Sequence, residues 1–458
     1  MKTTKYFLVL LVLLASLSVA SAQQQGTPQA FSLQQAIRYA LQNQPTIKNA
    51  QIQSEIARAK VGEVKATGLP QINGAIDIGN NLNIQTSFLP GIVAGQPDVP
   101  FIPVQFGTQY SSALGFSGSQ MVFNGSYLLG LKAANVYTDL ATKQVQQTEL
   151  DILEGVTKAY YSVLVSRERL TLLDRNLARL ESLLRETTQI QRQGFAEKID
   201  VDRMQVSYNN LKVEKDKAER LVALGVDLLR FQMSLNLAQP IELTDKLDNV
   251  VVETQQVAAE KFDYPQRIEY SILQTQRDLA VLDLRNRKVG YYPTVSLTGR
   301  VGWNTAGNDF AKLFAFGEKN MFGHGPYYNY SFVGLSVQFP VFDGLRRHYQ
   351  IKQGKLALQS LDQGAITLQN SIDLQIRQSN TNLQNALQVL QSQKESLALA
   401  QEVARVANVK FKEGVGSNLE VITAETDLRQ AQTNYYSALY DAVITKVDLE
   451  KATGTLKR

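Results

Sequence analysis

Met121-Val122-Phe123-Asn124-Gly125 recurs as Pro340-Val341-Phe342-Asp343-Gly344, 219 residues on (from 125 to 344). A second pair keeps that spacing: Gly194-Phe195-Ala196-Glu197-Lys198-Ile199-Asp200-Val201 and Gly414-Val415-Gly416-Ser417-Asn418-Leu419-Glu420-Val421, 220 apart (194 to 414). Between these landmarks, 125–194 and 344–414, each copy lacks proline. A continuous helix of that length would measure about 100 Å at ~1.5 Å per residue. A mean globular helix has only ~11–12 residues. The chain is therefore a tandem duplication of a unit in which a strand feeds a very long helix.

Apolar residues inside the long segments return every seven positions. Val156, Val163, Leu170, Leu177 and Leu184 do so in the first copy, with Ala159, Leu173 and Leu180 three residues after their partners. Leu383, Leu390, Leu397, Ala404 and Phe411 do so in the second, with Ala386, Ala400 and Ala407. Sustained sevens predict helices packed side by side as coiled coil. The spacing places long helices at 125–193 and 344–412 and returning helices at 197–237 and 417–453. Leu221, Leu228 and Leu235 are the expected buried seam of the first return. Asn124 and Asp343 are good N-cap types. The free face of the second long helix (Gln369, Asn370, Gln375, Gln378, Asn382, Gln384, Asn385) is rich in amides, not charges, which suits a hydrated lumen or a soluble coiled-coil surface.

Four segments alternate with period two and read as strands over 70–88, 110–123, 293–304 and 328–342. Ile72, Ile76, Ile78, Leu82 and Ile84 oppose Asn73, Asp77, Asn81, Asn83 and Gln85. Val295, Leu297, Val301 and Trp303 oppose Thr294, Ser296, Thr298 and Arg300. Such alternation fits a sheet over a protein core or a barrel wall between lipid and water. Tyr291, Tyr292, Trp303, Tyr327, Tyr328 and Tyr330 are expected at membrane–water boundaries. Four strands cannot close a bacterial barrel, which begins at about eight. An open edge cannot face lipid. Several copies must share one barrel, and this argument alone does not choose their number.

Residues 1–22 read as a secretory signal: Lys2 and Lys5, an apolar run over 6–14, then Ala20-Ser21-Ala22. With 0 cysteines the chain has no disulfide, thiolate metal site or cysteine nucleophile. Its net charge of +5 is small for 458 residues and implies no nucleic-acid partner. The two histidines, His324 and His348, sit apart without a carboxylate cluster. No nucleophile elbow, phosphate loop or metal-ligand spacing occurs. Neither enzymatic activity nor a cofactor is expected. The duplication divides the chain into a first repeat over 23–237, a linker over 238–262 and a second repeat over 263–458.

The duplicated Val-Phe-(Asn/Asp)-Gly, the glycine turn followed by (Asp/Glu)-Val, and the closing Tyr435-Tyr436-Ser437-Ala438-Leu439-Tyr440 through Ala452-Thr453-Gly454-Thr455-Leu456 resemble the outer-membrane efflux family, the TolC-like outer-membrane factors. The resemblance covers roughly 31–456. It implies an α+β membrane protein whose tandem-duplicated protomer gives four strands to a shared trimeric, twelve-stranded β-barrel, continued by a long α-helical coiled-coil barrel through the periplasm. It implies the outer membrane of a Gram-negative bacterium, outer-membrane lipid around the barrel, and a homotrimer. Its partners would be a periplasmic adaptor and an inner-membrane transporter of RND or ABC type, with the chain as exit duct of a tripartite pump. Type I protein secretion, and a structural periplasmic coiled-coil role, are the alternatives.

By the same resemblance Gly194, Phe195, Ala196, Gly414, Val415 and Gly416 form tip loops that meet the adaptor. Asp200 and Glu420, with Asp202 joining, are similar to an acidic ring around the entrance. Thr423 stands where a second acid occurs in the family pattern. A first-turn acid also complements the helix dipole, so Asp200 and Glu420 have a purely structural use as well. Arg203, Lys410 and Lys412 are expected to tie the tip helices together and hold the entrance shut.

Overall fold

A computed structural model describes residues 29–247, 262–314 and 327–456. The expected signal segment 1–22, linker residues 248–261 and His324 lie outside the described residues. Two compact units result: one from residues up to 53, 141–273 and from 364 on, the other from 54–140 and 274–363. Each draws on both sequence repeats.

The second unit is organised by a sheet. Strands β2 (Gln71–Asn80), β5 (Tyr110–Phe123), β7 (Thr294–Gly307) and β8 (Tyr328–Gln338) pair antiparallel in the order β2-β5-β7-β8. Within this sheet, the outer edges of β2 and β8 have no strand partner. Register aligns Ile76, Leu114 and Trp303 in one row, and Phe116 with Val301 in the next. Leu297 then pairs with Leu335 and Val295 with Val337. This apolar face is uncovered, with Ile72 74 % and Val333 77 % exposed. The opposite face carries mostly polar or small residues, Asn73, Ser117 and Asn304 among them, with Tyr328, Tyr330 and Phe332 of β8.

Three expectations change here. The strand expected over 70–88 stops at Asn80. Asn81 turns back, its backbone N–H donating to Gln109 at 2.7 Å and its side chain to Thr108 at 2.8 Å. Beyond it a separate hairpin forms from β3 (Thr86–Pro90) and β4 (Phe101–Gln105). The last strand ends at Gln338, since Pro340 has no N–H to continue the ladder. Tyr328 and Tyr330 do not share a face with Trp303: Trp303 opposes Asn329, so both tyrosines fall on the polar side.

Helix α3 (Gly125–Arg192) starts directly from β5, where Asn124 Oδ1 accepts from Ser126 at 2.9 Å and Tyr127 at 3.2 Å. Its counterpart α6 (Arg346–Lys412) starts two residues later than expected. Gly344 and Leu345 both take left-handed φ, +66° and +65°, and delay the first helical turn. Arg347 fixes the entry, reaching Asp343 at 3.4 Å and stacking its guanidinium 5.6 Å above the Tyr291 ring.

In the first unit short β1 (Gln29–Phe31) pairs parallel with β6 (Ile241–Leu243). Helix α1 (Leu33–Asn43) begins with a capping box between Ser32 and Gln35. Helix α2 (Pro45–Ala66) follows, and α5 (Ile268–Val289) is its counterpart in the second repeat. Tyr160, fully buried, places its hydroxyl 3.0 Å from the Phe31 carbonyl and 2.9 Å from Asp245. Burial and then the Asp245 carboxylate push its phenol well above the ordinary range.

A second core joins α3, α6 and the return helices α4 (Lys198–Met233) and α7 (Asn418–Ala452). Its α4 contribution is Met204, Leu211 and Ala218, seven apart. The expected seam differs: Leu221 and Leu228 are half exposed, and of that set only Leu235 is buried. Alternating sevens exist on both sides of α4, and packing against α3 and α7 selects the other one. Among the described residues no helix is long and apolar enough to cross a membrane.

Candidate functional site: the paired helix turns

Helices α3 and α6 end in the same device. Gly194 N–H donates to Gln191 at 2.9 Å and Phe195 N–H to Ile190 at 3.1 Å. Gly414 N–H donates to Phe411 at 3.1 Å and Val415 N–H to Lys410 at 3.0 Å. These are Schellman caps, which need a left-handed residue, and the glycines supply φ +82° and +75°. The apolar residue after such a glycine commonly folds back onto the helix. Here Phe195 is 83 % and Val415 79 % exposed. Ala196 and Gly416, next along the chain, are half-buried.

The return helices then start differently. Ser417 caps α7, its hydroxyl accepting from Glu420 N–H at 3.2 Å, whereas Glu197 makes no side-chain cap to α4. Asp200 and Glu420 lie in the first turns, where a carboxylate complements the helix dipole. Asp200 is half-buried; Glu420 and Asp202 are exposed.

The two turns meet through a residue not singled out from the sequence. Asn418, buried, donates its side-chain amide to the Asp200 backbone carbonyl at 3.0 Å. Glu425, seven residues on, accepts from Asn408 of α6 at 2.8 Å and pairs with Arg179 of α3 at 3.1 Å. Gln432, seven further, accepts from Asn176 at 2.7 Å. A polar stripe with the same period as the apolar seam thus stitches α7 to three neighbours. That period was the available signal.

Among the described residues, the expected tie of Arg203, Lys410 and Lys412 between helices does not form within the protomer, and Arg203 reaches Asp200 on its own helix, at 3.9 Å. Lys410 and Lys412 are exposed, with no ion pair among the described residues.

The turns contain no nucleophile–base pair, and among the described residues no cluster could hold a metal ion. What the geometry offers is exposed apolar tips beside carboxylates.

The family model described as outer membrane efflux protein matches residues 36–223 and 272–455. Outer membrane protein TolC of Vibrio cholerae is 21 % identical over 429 residues, covering 93 % of this chain and 91 % of that protein. Toluene efflux pump outer membrane protein TtgC of Pseudomonas putida is 23 % identical over 460 residues, covering 96 % and 86 %. Among solved structures, VceC of Vibrio cholerae superposes with TM-score 0.72 at 15 % identity, covering 92 % of this chain and 96 % of that one. The open state of the Neisseria gonorrhoeae MtrE channel gives TM-score 0.72 at 19 % identity, covering 93 % and 90 %. With both repeats matched and the strand-to-long-helix unit present twice, the chain belongs to the outer membrane efflux protein family.

Proposed function

We propose that three copies of this outer-membrane efflux protein form one duct, each giving four strands to a twelve-stranded barrel in the outer membrane. The observation that carries this is the sheet itself: an uncovered apolar face between two strand edges, β2 and β8, that have no partner within it. In lipid each unpaired backbone group costs several kcal/mol, so β8 of one copy pairs with β2 of the next until the wall closes. The polar face then lines a water-filled lumen, and the long helices extend the passage into the periplasm.

At the far end the exposed Phe195 and Val415, on Gly194-Ala196 and Gly414-Gly416 turns, suit capture by the apolar tip of a periplasmic adaptor. An inner-membrane transporter of RND or ABC type supplies the energy. Asp200, Asp202 and Glu420 from three copies ring the entrance and favour cations. Lys410 and Lys412, without an ion pair among the described residues, find their acidic partners on a neighbouring copy and keep the entrance narrow.

Detergent-extracted protein is expected to run as a trimer and to give step-like conductance in planar bilayers. A monomer without conductance overturns the reading. Replacing both Lys410 and Lys412 by alanine is expected to enlarge the steps. Replacing Asp200 and Glu420 by alanine is expected to lower cation preference.

A further inference from the structure

The four strands of the sheet carry only two charged side chains, Asp77 and Arg300. Both fall on the polar face. Arg300 stands in the row Asn73, Ser117, Arg300, Phe332, and Asp77 in the row Asp77, Ala113, Asn304, Tyr328. The rows are four residues apart, roughly 13 Å at ~3.3 Å per residue. Arg300 is exposed and forms no ion pair or hydrogen bond among the described residues.

Besides Ser117, its neighbours across β8 on this polar face are aromatic. Phe332 is directly opposite, and Tyr330 pairs with Gly302 in the next row. Both rings rest against glycines. A Cβ at Gly302 would lie 2.7 Å from the Tyr330 hydroxyl, one at Gly115 3.0 Å from it, and one at Gly334 2.6 Å from Phe332 Cζ. Half of Phe332 remains open to solvent, 56 % exposed, and Tyr330 is 42 % exposed. A cation with free donors therefore lies in the row between a ring over Gly302 and a ring over Gly334.

We propose that Arg300, Phe332 and Tyr330 form a cargo-contact site for organic anions on the inner wall of the duct. The proposal deepens the duct reading and rests on it, since it needs the polar face to be the lumen. The guanidinium fork matches a carboxylate or sulfonate, and the rings meet the flat apolar body of the same molecule. Threefold assembly repeats the site around one ring, an arrangement that favours anions.

The chain has 0 cysteines, so a single introduced thiol reports on this site alone. Ser117 opposes Arg300 directly, with side chains ~4.5–5.5 Å apart at Cβ. The Ser117→Cys protein is reacted, as the assembled trimer, with the neutral reagent methyl methanethiosulfonate, with and without millimolar naphthalene-1-sulfonate. The sulfonate is expected to slow labelling severalfold when Arg300 is present. Protection is expected to disappear with Arg300→Gln or Arg300→Ala, and to weaken with Phe332→Ala or when methanesulfonate replaces the aromatic probe. Equal labelling with and without the sulfonate, or protection that survives both Arg300 variants, overturns the proposal. A Ser117→Cys trimer that does not label at all overturns instead the assignment of this face to the lumen, and the site with it.

Discussion

Asn418 hands its side-chain amide to the backbone carbonyl of Asp200 at 3.0 Å, joining two helix turns from opposite halves of the duplication. The position equivalent to Asn418 in the first repeat is Lys198, and among the described residues it makes no matching bond to the second turn. The two repeats thus share a backbone plan but split the work of holding the tip. Asn418→Leu is expected to remove this clasp while keeping the residue's bulk, at a cost of about 1 kcal/mol for a lost hydrogen bond. Hydrogen exchange at amides 198–204 should accelerate while exchange in the Tyr160 core stays unchanged.

Glycines at the same tip separate two kinds of cost. At Gly194 and Gly414 a Cβ would meet nothing within 4 Å, so alanine there pays only for its left-handed backbone, about 1–2 kcal/mol. At Gly416 the added carbon would lie 2.8 Å from Lys410 Cβ and 3.0 Å from the Phe411 nitrogen. Gly416→Ala is therefore expected to disturb the α6 cap more than either of the others. Urea midpoints of the three variants, compared side by side, give the order.

Glu154 lies between two lysines, 2.7 Å from Lys158 and 2.5 Å from Lys451, and Lys158 continues to Asp448. Burial alone would raise this carboxyl, but the lysine hydrogen bonds outweigh it and hold it below its ordinary 4.5. Its contribution is present above pH 4.5 and is lost as pH falls through the depressed folded value. Lys158 and Lys451 respond oppositely. Burial lowers them, their carboxylate partners raise them further, and their contribution persists below 10.5 and fades at more alkaline pH. Thermal melts of Glu154→Gln should show a flatter loss of stability on the acid side than the parent.

Arg267 is buried where α7 ends. It donates to the Ala452 carbonyl at 2.6 Å, to Gln375 at 3.1 Å and twice to Glu269, at 3.0 and 3.1 Å. Arg267→Ala would strand the Ala452 carbonyl and the partly exposed Glu269, and a group left unmatched costs about 1–3 kcal/mol. Lysine cannot reproduce a planar fork with three separate partners. Arg267→Lys should therefore recover only a minor part of the lost melting temperature.

The features legible in the sequence were those carried by local chemistry. Strand 110–123 and the start of α3 were bounded by Asn124-Gly125, where alternation stops and a side chain caps the helix. Both Schellman glycines announced themselves because glycine takes their left-handed φ without the steric cost that a Cβ brings. What escaped depends on distant partners. Alternation through Leu82 and Ile84 looked like continued strand, yet the chain turns at Asn81, bonded to residues 108 and 109. Asn418 looked like one more polar residue until the helix opposite it was in place.

Pairing β8 of one copy to β2 of the next is a head-to-tail contact, and such a series stays open until its last joint forms. Under the proposed ring no subassembly is watertight, and one copy with a damaged β8 spoils two sound companions. In cells making both forms the share of intact ducts would fall as the cube of the sound copy's share, so a broken edge strand would act as a poison even beside a good gene.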